Sequence, residues 1–175
     1  MPLPIRRAAV VLLLLSIAAS AHAQIAAPER APHLRAETPD ARAVIDQLLD
    51  RSATARQLAD RLQQSDVLVY VRLRWFTTDA INGRIGVVRA SGRPRVLVVE
   101  LACRRTRQQQ LAALGHELRH AVEIADAPSI VDARTLAAFY RRIGVSVTVA
   151  GAAEAFETVA AVEAGRRVRA ELAAR

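Results

Sequence analysis

His116, Glu117 and His120 stand in the order His-Glu-x-x-His inside an apolar run from Leu111 to Ala125. On a helix, positions i and i+4 share one face a turn apart, so both imidazoles can point at one metal ion. Glu117 sits one residue on and can reach a water held beside that ion. Two nitrogen donors, an open coordination position and a carboxylate to take a proton are what a hydrolytic zinc site needs.

The flanks say where such a motif would sit. Leu111, Leu114, Leu118 and Val122 recur at helical spacing, with Ala112, Ala113, Ala121 and Ala125 close by. This spacing predicts a helix starting near Thr106 and packing into a core. Asp126-Ala-Pro-Ser129 ends it.

The rest of the chain must position that helix. Thr38-Pro39-Asp40 opens a first helix: Thr38 caps it, Pro39 suits the first turn and Asp40 favours the positive dipole end. Val44, Ile45, Leu48 and Leu49 form its apolar stripe. Ser52 to Gln64 carries a second helix. From Asp66 the period changes to two: Val67, Val69, Val71, Leu73 and Trp75 alternate with Leu68, Tyr70, Arg72 and Arg74, the pattern of a strand with one core face. Asn82-Gly83 and Ser91-Gly92-Arg93-Pro94 are turn signals. They delimit strands over 83–90 and 95–102, expected to form an antiparallel meander of about three strands. A further helix is expected over 132–142, with Gly144 closing it, then a short strand over 145–149 and a final helix over 151–173. The fold class is therefore α+β, a small antiparallel sheet packed against helices with the motif on a central helix.

The N-terminus reads as a targeting segment. Arg6 and Arg7 precede an apolar stretch, and Ala21-His22-Ala23 is a small-x-small cleavage site, so residues 1–23 are expected to be a signal peptide. Residues 24–37, with Pro28 and Pro32, are expected to be a flexible linker with His33 in solvent. Residues 38–175 remain as a single domain, expected to be exported to the periplasm or the exterior without stable membrane insertion.

Composition narrows the function classes. The formal charge is +8, and all 25 basic residues are arginine. The arginines are scattered and aromatics make up 3% of the chain, too few to stack bases, which argues against nucleic acid as a partner. Cys103 is the only cysteine, so no intrachain disulfide and no multi-thiolate metal site can form. After the apolar Val96–Ala102 stretch it reads as a buried small hydrophobe.

With the His116-Glu117-Leu118-Arg119-His120 motif on a helix preceded by strands, the chain resembles the zincin metallopeptidases. That resemblance implies that His116 and His120 bind Zn²⁺, that Glu117 polarises the attacking water, and that a third ligand comes from further along. The metzincin continuation fails, because Glu123 stands where that branch has glycine and Asp126 where it has histidine. The gluzincin branch takes its third ligand from a Glu on a later helix. Glu157 is the candidate, on an expected helical face shared with Ala160, Ala161, Ala164 and Val168; Glu154 and Asp126 are the alternatives. The chain is also similar to short exported bacterial proteins sharing a Gly-His-Glu-Leu-x-His-Ala-x-Glu helix and a Glu-containing C-terminal helix, a likeness over most of residues 40–173 that brings no substrate. Glu123 is either a group that orients an imidazole or Arg119, or an ordinary helix surface charge. Tyr140 is a candidate oxyanion donor.

These readings combine into an expected exported zinc-dependent peptidase acting on a peptide or protein substrate. The substrate would pair with an exposed strand within 95–102. The alternative is a zinc-stabilised envelope protein without catalytic activity. A third reading is a basic module binding anionic polymer, with no metal.

Overall fold

The computed structural model describes residues 32–89, 93–147 and 155–174. These belong to one compact unit, Ala31–Arg175. The expected signal peptide, most of the linker and Glu154 lie outside the described residues.

Two capped helices come first. Helix α1 (Pro39–Arg51) starts where Thr38 Oγ1 accepts the Ala41 N–H, and α2 (Ala53–Gln63) starts where Ser52 does the same for Ala55. Val44, Ile45, Leu48, Leu58 and Leu62 turn inward, as the apolar spacing requires.

The sheet departs from a meander. Strands β1 (Leu34–Ala36), β2 (Val67–Arg74), β3 (Gly83–Arg89) and β4 (Arg95–Ala102) lie in the order β1-β2-β4-β3. β2 runs parallel to both β1 and β4, and only β3 is antiparallel to its neighbour β4. The α+β class holds, but the sheet is mixed and four-stranded, because β4 inserts between the two strands that precede it. Connection lengths alone suggested hairpins. The hydrophobic run Val96–Leu101 marks a strand with neighbours on both sides.

Strand β1 also corrects the expected linker. Leu34 is buried beside Val69, and His33 is half-buried rather than in solvent. The His33 backbone N–H donates to Gln63 Oε1, and its ring Nδ1 donates to the Leu62 carbonyl, both at 2.9 Å.

One face of the sheet, Val67, Val69, Val71, Leu97, Val99 and Leu101, is the floor of the core. Helix α3 (Arg107–Ala125) lies on it, opened by a capping box between Thr106 and Gln109. Leu111, Leu114, Leu118 and Val122 are fully or almost fully buried along its length. Arg95, itself buried, holds the far end of α3. Its guanidinium donates to the carbonyls of Ile124, Ala125, Ala127 and Ile130 and pairs with Asp66 at 2.8 Å. One side chain thereby serves four carbonyls at and beyond a helix end, two of which, Ile124 and Ala127, also accept backbone N–H groups.

Helix α4 (Ala133–Ile143) is capped by Asp132, and a two-stranded ribbon follows, β5 (Val145–Val147) against β6 (Ala155–Glu157). The last helix, α5 (Val159–Ala173), starts eight residues later than the sequence suggested. Thr158 is its N-cap, accepting the Ala161 N–H at 3.1 Å, and the backbone before it is spent on pairing with β5. α5 packs closely on α3 through two glycines. A Cβ on Gly115 would stand 2.5 Å from Val168, and one on Gly165 would stand 3.3 Å from the Cβ of His116.

Among the described residues no helix is long and apolar enough to cross a membrane. Cys103 is exposed in the turn after β4, not buried.

Candidate metal centre

His116 and His120 project from the middle of α3 as the i, i+4 spacing demands. Their ring centroids are 4.8 Å apart, with the planes near perpendicular. Glu157 reaches them from β6, so it arrives on a strand end and not on a helical face as expected. One donor atom from each of His116, His120 and Glu157 falls within 4.8 Å of the others. This is close enough for one metal ion to be shared.

Neighbouring groups hold both rings in orientation. His120 Nδ1 donates to Glu123 Oε2 at 2.9 Å, leaving Nε2 for the centre. His116 is tied to the backbone of Ala161 on α5 and packed against Gly165, with Nε2 3.0 Å from Glu157 Oε2. That approach is close but lacks hydrogen-bond angles, and Glu157 Oε2 is buried without a donor. A buried carboxylate oxygen without a donor, facing an imidazole nitrogen, is an arrangement that a cation would satisfy.

Glu123 is no surface charge. It is buried, and besides His120 it accepts the Thr158 hydroxyl at 2.8 Å and pairs with Arg119 at 3.5 Å. Carboxylate–imidazole pairs of this kind fix ring orientation in metal sites.

Glu117 lies against the start of β3, where a Cβ on Gly83 would stand 3.0 Å from its Oε1. Burial pushes its carboxyl above the ordinary range, outweighing the nearby imidazoles, and so makes it a better base. Glu157 goes the other way: burial opposes its charge, but the His116 and His120 rings hold it below the ordinary range, ionised at neutral pH. For His116, burial opposes the charged ring, but the Glu157 and Glu117 carboxylates prevail and raise it.

The centre opens into a cleft of about 800 Å³. β3 and the loop before it form one wall, α4 with Tyr140 and β6 a second, and α5 a third. Tyr140 is buried, its ring edge-on to His120, with its hydroxyl 3.4 Å from both Glu123 Oε2 and the His120 carbonyl. Burial, then the charges of Glu123 and Glu117, push this phenol far up, so it stays protonated.

Asp126 is not brought to the centre; it pairs with Arg61 at 2.9 Å beyond the end of α3. The strand expected to be exposed, β4, is flanked on both sides; the free edge beside the cleft belongs to β3. Thr158, Gly83 and Gly165 were missed. Only Thr158 carried a signal, a hydroxyl residue directly before a run of good helix formers.

No protein-family model, curated protein or solved structure matches the chain.

Proposed function

We propose that the protein is a zinc-dependent peptidase in which His116, His120 and Glu157 hold Zn²⁺ and Glu117 is the general base. The observation that carries this is the convergence of the three donor groups, with the buried Glu157 oxygen left unpartnered at their meeting point. Two imidazoles and one carboxylate form the donor set of catalytic zinc sites, which keep one position open. The adjoining cleft supplies room for that position.

When bound, zinc would supply Lewis-acid activation of a water and of the substrate carbonyl. The chain's own groups do the remainder. Glu117, kept basic by its apolar surroundings, takes a proton from the attacking water and returns it to the leaving amine. Glu123 holds His120, and His116 is packed against Gly165, so the rings are preset for the ion. The free edge of β3 offers backbone groups for an extended peptide to pair with. Tyr140, protonated and at the cleft wall, is the candidate donor to the oxyanion.

An exported location fits the basic leader and the small-x-small cleavage pattern at Ala21-His22-Ala23. A metal that only clamps β6 to α3 is the second reading; the cleft beside the donors favours the catalytic one.

The test is Glu117→Gln. Gln is nearly isosteric but accepts no proton, so the variant keeps its zinc and loses hydrolysis of an unstructured protein by about 10²-fold or more. Equal cleavage by variant and wild type would overturn the assignment.

A further inference from the structure

Three arginines line the cleft: Arg84, Arg166 and Arg169. Arg84 is committed to Glu100, at 2.5 Å, and its guanidinium lies over Phe76. Arg166 and Arg169 differ: both are exposed, and neither pairs with a carboxylate among the described residues. Their neighbour Arg167 pairs with Glu163 on the same helix. The chain carries 25 basic residues against 17 acidic ones, so an exposed arginine without an acidic partner is by itself ordinary. The place of these two singles them out.

Helix α5 runs antiparallel to α3. Thr158 touches Glu123, Ala161 meets His116, and Gly165 lies over His116 and the Ala112 carbonyl. Arg166 therefore follows directly on the residue packed against a candidate ligand. Arg169 lies one turn further on the same face, alongside the N-terminal half of α3. There the cleft is floored by Ala112 and Ala113, side chains too small to fill it. Across it stand Asn82, Gly83 and Ile85 at the edge of β3. A peptide laid along that edge past Glu117 passes over the alanine floor beneath the two guanidinium groups.

We infer that Arg166 and Arg169 form an anion-binding subsite that selects peptides carrying a carboxylate on one side of the scissile bond. The inference rests on the peptidase reading for its scissile bond and not for its binding chemistry. Arginine recognises carboxylates through paired N–H donors, and two guanidinium groups one turn apart can take one carboxylate or two. The carboxylate comes from an acidic side chain or from a peptide C-terminus.

Four fluorescent peptides of one length separate these sources: an Asp/Glu-containing sequence and its Asn/Gln twin, each with a free and an amidated C-terminus. Binding is read by anisotropy at about 50 mM salt, where charge contacts are least screened. The protein is full-length Glu117→Gln with equimolar zinc, which does not consume the probe. Two partly exposed ion pairs, each giving roughly threefold, predict about tenfold tighter binding of the carboxylate-bearing peptide over its neutral amide. If the acidic amide wins, the source is a side chain; if the neutral free acid wins, it is the C-terminus. Arg166→Gln/Arg169→Gln brings the ratio to about one, and Arg167→Gln leaves it unchanged. Equal binding of all four peptides, or a preference that survives in the double variant, overturns the subsite. Wild-type cleavage of the same peptides is scored separately. Preference without cleavage leaves the subsite and removes the peptidase; cleavage without preference does the reverse.

Discussion

The Thr158 hydroxyl donates to Glu123 Oε1 at 2.8 Å, while the other oxygen of the same carboxylate receives His120 Nδ1–H at 2.9 Å. Thr158 is the residue after Glu157 and the N-cap of α5. One buried carboxylate therefore fixes both a candidate ligand ring on α3 and the chain segment that delivers the third ligand. Burial opposes its charge, and the hydrogen bonds from His120 and Thr158 overcome this and keep it ionised.

Glu123→Gln should weaken zinc binding by about 10- to 100-fold, the usual cost of losing a group that orients a ligand. Thr158→Val should act in the same direction and less, because His120 keeps its partner. Competition against a chromogenic chelator measures both. Unchanged affinity in Glu123→Gln would mean that the ring needs no such support.

Gly83→Ala tests the seat of the base. The added Cβ would stand 3.0 Å from Glu117 Oε1 and 3.2 Å from Leu101, so the carboxylate must move. A shift of this kind at a reacting group costs up to about 10²-fold in kcat. Zinc content should stay at the wild-type level, since neither imidazole nor Glu157 is touched. Full turnover in this variant would place the working position of Glu117 elsewhere.

Much of this arrangement could be read from residue order, and the failures have physical causes. The cap at Thr38, the helix starts near Ser52 and Thr106, the core faces of α1, α2 and β2, and the meeting of His116 with His120 follow from local spacing. Glu157 does lie beside the two histidines, but on a strand end and not on the helical face from which it was expected. An alanine-rich stretch reads as helix, and only its pairing with Val145–Val147 makes Ala155–Glu157 a strand. The parallel pairing of β2 with β4 is equally invisible, because adjacency in a sheet is set by tertiary packing and not by turn length. Three-residue β1, with one buried apolar side chain, leaves no period to detect.

Arg95→Met should destabilise the fold by about 3 kcal/mol or more, because four carbonyls at and beyond the end of α3 lose their guanidinium donor and Asp66 loses its closest partner. That corresponds to roughly 10 °C in Tm for a chain of this size. A loss below about 1 kcal/mol in urea unfolding would show that water replaces the guanidinium.

Arg95 also sets an acid dependence. Its hydrogen bonds and charge hold Asp66 below the ordinary carboxyl value of 3.8, against the opposing effect of burial. A lowered folded-state pKa gives stability that is complete above the unfolded value and lost as pH falls through the folded one. Wild type should therefore lose stability below about pH 4, and Asp66→Asn should flatten that part of the curve. Identical acid profiles in urea titrations would exclude the pair as the cause.

The central claim is that His116, His120 and Glu157 form one metal site. The most direct measurement is elemental analysis of untagged protein purified without added metal, beside His116→Ala, Glu157→Ala and Asp126→Ala. The account predicts about one zinc per chain in wild type and in Asp126→Ala, and none in the other two. Saturating zinc should raise Tm in wild type and in Asp126→Ala but not in the other two, since an ion bound solely to the folded state stabilises it by about 2.7 kcal/mol at a hundred times Kd. Wild-type protein free of zinc that gains no stability from it, or stoichiometric zinc retained in His116→Ala or Glu157→Ala, would contradict the account.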